Sequence, residues 1–151
     1  MKIADTYYYN TKNLTTQQKE MIECLEEIFE SLSTGFDIDE MEEIRNNIME
    51  VAESRGWISD FKLPNSNLKI TLYKNQVGIC VQFGNVARTY CDILKIEQLL
   101  KTKIISIGIL CVPMEERTKK SSTYASYEKL CKDIETLSAT VSGPIICLGL
   151  W

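Results

Sequence analysis

The chain has 151 residues, 44% apolar and 25% charged, with a formal net charge of −4. That is an ordinary soluble composition, long enough to bury a sizeable core, and one domain over 1–151 is expected. No apolar run approaches the roughly 20 residues that span a bilayer, and the N-terminus has no signal-peptide apolar stretch. The reading is therefore a cytoplasmic chain without membrane contact.

Thr15 and Gln18 form a capping box ahead of Met21, Ile22, Leu25, Ile28, Phe29 and Leu32, which recur at helical spacing. Glu20, Glu23, Glu26, Glu27 and Glu30 fill the outer face, and Gly35 ends the run. Asp37, with Glu40 three residues on, caps a second helix whose buried stripe is Met41, Ile44, Ile48, Val51 and Ala52. Gly56 stops that helix, Trp57 anchors the turn, and Pro64-Asn65-Ser66-Asn67 is a loop.

The period then changes. Leu68, Ile70 and Leu72 alternate with polar residues as in a strand. Lys74-Asn75 turns the chain into a more apolar strand over Val77 to Phe83, which makes a hairpin. Asn85 caps a helix over Val86 to Lys101. Ile104 to Val112 is continuously apolar, as in a strand covered on both faces, and Pro113 ends it. A charged loop from Met114 to Ser122, with Arg117, Lys119 and Lys120, precedes a helix marked by Tyr124, Tyr127, Leu130, Cys131, Ile134 and Leu137. Gly143-Pro144 turns into a last buried strand, Ile145 to Leu150. The predicted order is α-α-β-β-α-β-α-β: an α/β fold with a mixed sheet flanked by helices. Residues 1–60 form an acidic helical part and 61–151 a sheet core.

The chain has no histidine, and none of its six cysteines forms a CxxC pair. Zinc-ligand spacings, Ser-His pairs and Cys-His pairs are thus absent. The cysteines lie inside apolar periodic segments and read as small buried hydrophobes. Charge is divided unevenly: residues 1–60 carry 14 acids and 5 bases, residues 61–151 carry 7 acids and 12 bases.

The runs ICVQFGNVARTYCDILKIEQLL (79–100) and KIISIGILCVP (103–113) resemble the BglII/BamHI-type restriction endonucleases, which use the PD-(D/E)xK nuclease fold. The likeness extends through the helix at Tyr124–Leu137 to PIICLGL and covers 68–151. In such enzymes a hairpin offers two carboxylates to Mg²⁺, which activates water and steadies the charged phosphate. Laid on this sequence, the two acid positions fall on Thr71 and Cys80, while the following glutamine is kept as Gln82. Thr71, Cys80 and Gln82 are expected on one sheet face. No Asp or Glu lies between Phe61 and Cys91, and the nearest acids are Asp60, Asp92 and Glu97.

Losing both carboxylates implies a degenerate member that is not an enzyme and has no cofactor. Rows of carboxylates on a helical face imitate phosphate spacing and suit a basic protein groove. The expected function is therefore protein binding through Glu23, Glu27 and Glu30. That role suits a phage or mobile-element inhibitor of a bacterial defence nuclease, such as a CRISPR effector. Asn85 and Arg88 are candidate contacts to a phosphate or a partner, with a helix cap the plainer role for Asn85. Two rivals stand beside this reading: a Mg²⁺-dependent type II DNA endonuclease with a relocated acid, and a non-catalytic DNA-binding module. The resemblance also implies a homodimer, since enzymes of this type pair to read palindromes.

Overall fold

The computed structural model describes residues 1–32, 40–118 and 122–151. Its sheet has six strands: β1 (Ile3–Tyr9), β2 (Ile58–Lys62), β3 (Lys69–Lys74), β4 (Val77–Val81), β5 (Ile107–Pro113) and β6 (Ile145–Leu150). The helices are α1 (Thr16–Ser31), α2 (Met41–Ser54), α3 (Val86–Lys101) and α4 (Tyr127–Thr136), with a short 3₁₀ turn at Glu115–Thr118. In space the strands run β1-β6-β5-β4-β3-β2. Strands β4, β5 and β6 are parallel, while β2-β3-β4 and β1-β6 pair antiparallel.

This is the mixed sheet expected, with two strands more than the predicted order. Both extra strands, β1 and β2, are the edges of the sheet. Edge strands meet solvent and carry polar residues; Asp5, Thr6, Ser59 and Asp60 break the apolar alternation that marks the inner strands. The front part of the chain is thus not purely helical, because it supplies both sheet edges.

Each face of the sheet is covered. Leu25, Ile28 and Phe29 of α1 and Ile44 and Ile48 of α2 pack with Leu72, Ile79, Ile109 and Leu148 on one face. Ile93 and Ile96 of α3 and Leu130 and Ile134 of α4 pack with Cys80, Leu110, Ile145 and Cys147 on the other. Alternate residues of β5 enter opposite cores, which is why its sequence is apolar throughout. Fully burying each such side chain contributes roughly 1.5–3 kcal/mol.

Local signals match closely. Thr15 and Gln18 form the reciprocal capping box of α1. Asn85 caps α3, its Oδ1 accepting from the Ala87 amide at 2.7 Å. The hairpin turn lies one residue later than predicted, at Asn75 and Gln76, both with positive φ (49° and 62°), as the favoured two-residue hairpin turn requires. The expected stop at Gly35 and cap at Asp37 fall outside the described residues. Among those described, no helix is long and apolar enough to cross a membrane.

Candidate active site

Strand β3 is distorted at Thr71. Ile70 and Leu72 are two apart yet lie in opposite cores, so strict alternation fails between them. The paired residues of β3 and β4 run from Lys74↔Val77 to Leu72↔Ile79. Past that point the Val81 amide donates to Thr71 Oγ1 at 2.9 Å, and a threonine side chain takes the place of a ladder carbonyl. On the neighbouring edge strand, Asp60 has φ +47°, a conformation that non-glycine residues adopt rarely and mostly in special settings.

A cavity of about 490 Å³ opens beside this distortion, lined from α2, β3, the end of β4 and α3. Its floor holds Thr71 and Gln82; its bases are Arg45, Lys69, Arg88 and Lys95; its acids are Glu42 and Asp92. Arg88, Asp92 and Lys95 recur at helical spacing along one face of α3. Asp92 is only 6% exposed. Gln82 Nε2 donates to Asp92 Oδ2 at 3.3 Å, and Gln82 Oε1 accepts from the Gly84 amide at 2.9 Å. The glutamine of the VQFGN run is therefore fixed between the turn and the buried carboxylate. Lys95 Nζ pairs with Asp92 Oδ1 and donates to the Lys69 carbonyl at 2.7 Å. Burial pulls the Lys95 pKa down, but the hydrogen bond and charge of the Asp92 carboxylate oppose it, and the ammonium stands above its ordinary value.

The rim is held by Asp60, which pairs with Arg45 at 3.0 Å and Lys69 at 2.9 Å. The Lys69 hydrogen bond, joined by Arg45 and opposed by burial, lowers the Asp60 pKa. One rim carboxylate thus positions two of the pocket's bases.

The three acids nearest the degenerate positions now separate. Asp92 enters the pocket; Asp60 holds its rim through Arg45 and Lys69. Glu97 is buried elsewhere, accepting from the Ser142 amide, the Ser142 hydroxyl and the Gly143 amide. Thr71 and Gln82 both line the pocket. Cys80 does not line it: the thiol is 2% exposed among core side chains. Burial, reinforced by Asp92, pushes its pKa well up, so it is an inert neutral thiol at neutral pH.

Arg88 lines the pocket, whereas Asn85 is occupied as the helix cap and bridges Tyr124. Glu23, Glu27 and Glu30 are exposed on α1, and Glu27 pairs with Arg55 at 2.5 Å. Arg117 stacks over the Trp151 ring at 4.1 Å and is not a solvated loop cation. Sequence reasoning missed Lys95, Lys69, Glu42 and Arg45 as site residues. The spacing of Arg88, Asp92 and Lys95 was the available signal.

A divalent cation does not fit these residues as they stand. Both oxygens of Asp92 are engaged, Oδ1 by an ammonium and Oδ2 by an amide. Among the described residues, no three His, Cys, Asp or Glu side chains group to hold a metal, and the lining carries four bases against two acids. The arrangement instead suits a phosphate, whose oxygens accept from Arg and Lys.

A six-stranded mixed sheet with helices on both faces, and a polar pocket at the splayed end of its hairpin, define a restriction-endonuclease fold. The chain belongs to the family described as restriction endonuclease BglII/BglIII, whose profile matches residues 9–150. A crystal structure of restriction endonuclease BglII complexed with a DNA 16-mer matches with a TM-score of 0.81 and 18% identity, over 100% of this chain and 78% of that one. A crystal structure of free BglII matches with a TM-score of 0.72 and 20% identity, over 100% and 80%. Comparison with curated protein sequences gives no match. Family membership overturns the expectation of a non-enzyme, since restriction endonucleases are enzymes. The inhibitor reading finds no support in the pocket or in these likenesses.

Proposed function

We propose that the chain is a DNA endonuclease of the BglII type in which Asp92, on α3, serves as the acid that the hairpin no longer supplies. The observation that carries this reading is the buried Asp92 carboxylate meeting Gln82 inside a cavity lined by Arg45, Lys69, Arg88 and Lys95. Phosphodiester hydrolysis places growing negative charge on the phosphoryl oxygens, and fixed cations in a partly dry pocket stabilise it. Asp92 is assigned to orient attacking water and accept its proton, through the carboxylate lone pairs that Lys95 and Gln82 leave free. Gln82 holds that carboxylate in register, and Asp60 holds Arg45 and Lys69 at the mouth.

DNA is the substrate this reading assigns, and the matched structure that carries a DNA 16-mer is consistent with it. The test is cleavage of supercoiled plasmid by the wild type and by Asp92→Asn, with Mg²⁺, with Mn²⁺ and with chelator. The wild type should nick or linearise the plasmid in at least one condition. Asp92→Asn should lose at least ~100-fold, the scale of a lost acid-base group. No cutting by folded wild type in any condition, or undiminished cutting by Asp92→Asn, sinks the reading.

A further inference from the structure

We infer that Lys95 is a resident cation of the site, its ammonium holding the oxygen atoms that a divalent metal would need, so that a metal site opens only when Lys95 is removed. The inference deepens the endonuclease reading and rests on it for the pocket's purpose, but its test measures metal alone.

Two oxygens of metal-ligand type converge on one point, the Asp92 Oδ1 carboxylate oxygen and the Lys69 main-chain carbonyl, and Lys95 Nζ sits between them. Carboxylate and backbone carbonyl oxygens are the usual donors to hard divalent cations. The two side chains are 14% and 9% exposed, so water screens their attraction little. The lysine stem comes from a helix anchored in the core by Ile93 and Ile96, both essentially inaccessible, so the ammonium is delivered by a rigid element. Removing it leaves a buried carboxylate without its ion-pair partner, a costly state that another cation relieves. With Lys95 present, an incoming divalent ion meets that ammonium as well as Arg45, Lys69 and Arg88. Its only buried carboxylate in the pocket is already engaged.

Mn²⁺ is titrated into the full chain, without DNA, by calorimetry and by loss of the free-ion paramagnetic resonance signal. Wild type should show no saturable binding below about 1 mM, the weak end of oxygen-ligand sites. Lys95→Met should bind one equivalent at least ~10-fold more tightly than that limit, and Lys95→Met with Asp92→Asn should lose it. Lys95→Arg, which keeps the positive charge, should exclude the metal as wild type does. If Lys95→Met does not fold, the neutral polar Lys95→Gln takes its place in the same titration. A folded, neutral Lys95 variant that binds no Mn²⁺ overturns the inference. So does a wild type that binds one equivalent abolished by Asp92→Asn. Failure of plasmid cleavage would count against the endonuclease reading and leave this titration unaffected.

Discussion

Glu97 is the acid that a search for a relocated carboxylate would confuse with Asp92, and Glu97→Ala separates the two. The Glu97 side chain is 4% exposed. It accepts from the Ser142 amide at 3.2 Å, the Ser142 hydroxyl at 2.8 Å and the Gly143 amide at 3.1 Å, which ties α3 to the turn that launches β6. Lys101 lies 3.5 Å away but is 59% exposed and adds little. A hydrogen bond to a charged group contributes roughly 1.5–3 kcal/mol net. The three bonds share one carboxylate, and the freed loop donors can reach water. The expected loss is therefore about 3 kcal/mol, rather than the sum. At roughly 2–4 °C per kcal/mol for a chain of this size, the Tm should fall by about 6–12 °C. Differential scanning calorimetry reads this directly. Plasmid cleavage per folded molecule should stay within about twofold of wild type well below the new Tm. A Tm within about 2 °C of wild type, or lost cleavage in a fully folded variant, would refute the reasoning and make Glu97 the site acid.

The Gly108→Ala change puts a Cβ 2.1 Å from Ile96 Cγ2, and Ile96 is fully buried with nowhere to retreat; overpacking should cost about 1–3 kcal/mol or more, read as a lower midpoint in urea. Arg88 lines the pocket and forms no ion pair among the described residues, so Arg88→Ala should reduce the slope of log K for DNA against log salt by about 0.9. Lys132→Ala, an exposed site on α4, should leave that slope unchanged; equal slopes for wild type and Arg88→Ala would remove Arg88 from the phosphate contacts. In acid, Asp60 and Glu97 act in one direction. Both have folded pKa values below their ordinary ones: Asp60 through Lys69 and Arg45, and Glu97 through Ser142 and Gly143 despite its burial. Their stabilisation is complete above the ordinary carboxylate range of about 4 and is lost as pH falls through the lowered values. Unfolding midpoints should thus drop below about pH 4, and Glu97→Ala should flatten that drop.

The inner elements were readable because burial leaves a pattern. Helix α3 and strand β6 have the bounds that their apolar runs and the Asn85 cap imply. Strands β1 and β2 were not readable, because an edge strand needs only one paired side and little apolar content. The site was half legible. Gln82, Asp92 and Arg88 lie within one short stretch, so local spacing names them. Arg45 and Lys69 reach the same cavity from α2 and β3, and only the folded sheet brings them there. Cys80 stays out of the cavity lining because its side chain is buried among core side chains beneath α3, a depth that spacing along the strand does not reveal.

Helix α3 touches four things in a fixed angular order. Asn85 joins it to Tyr124, Asp92 and Lys95 face the cavity, Ile96 fits against Gly108, and Glu97 grips the turn at 142–143. Inserting or deleting one residue between Asp92 and Glu97 would turn one end of the helix by about 100° against the other, so the acid in the cavity and the acid on the turn could not both keep their partners. Over evolutionary time this stretch should therefore tolerate changes of letter but not of length. Relatives that gain or lose residues should do so in the hairpin loop around Pro64–Asn67, where the backbone lies at the surface and no such phase has to be kept.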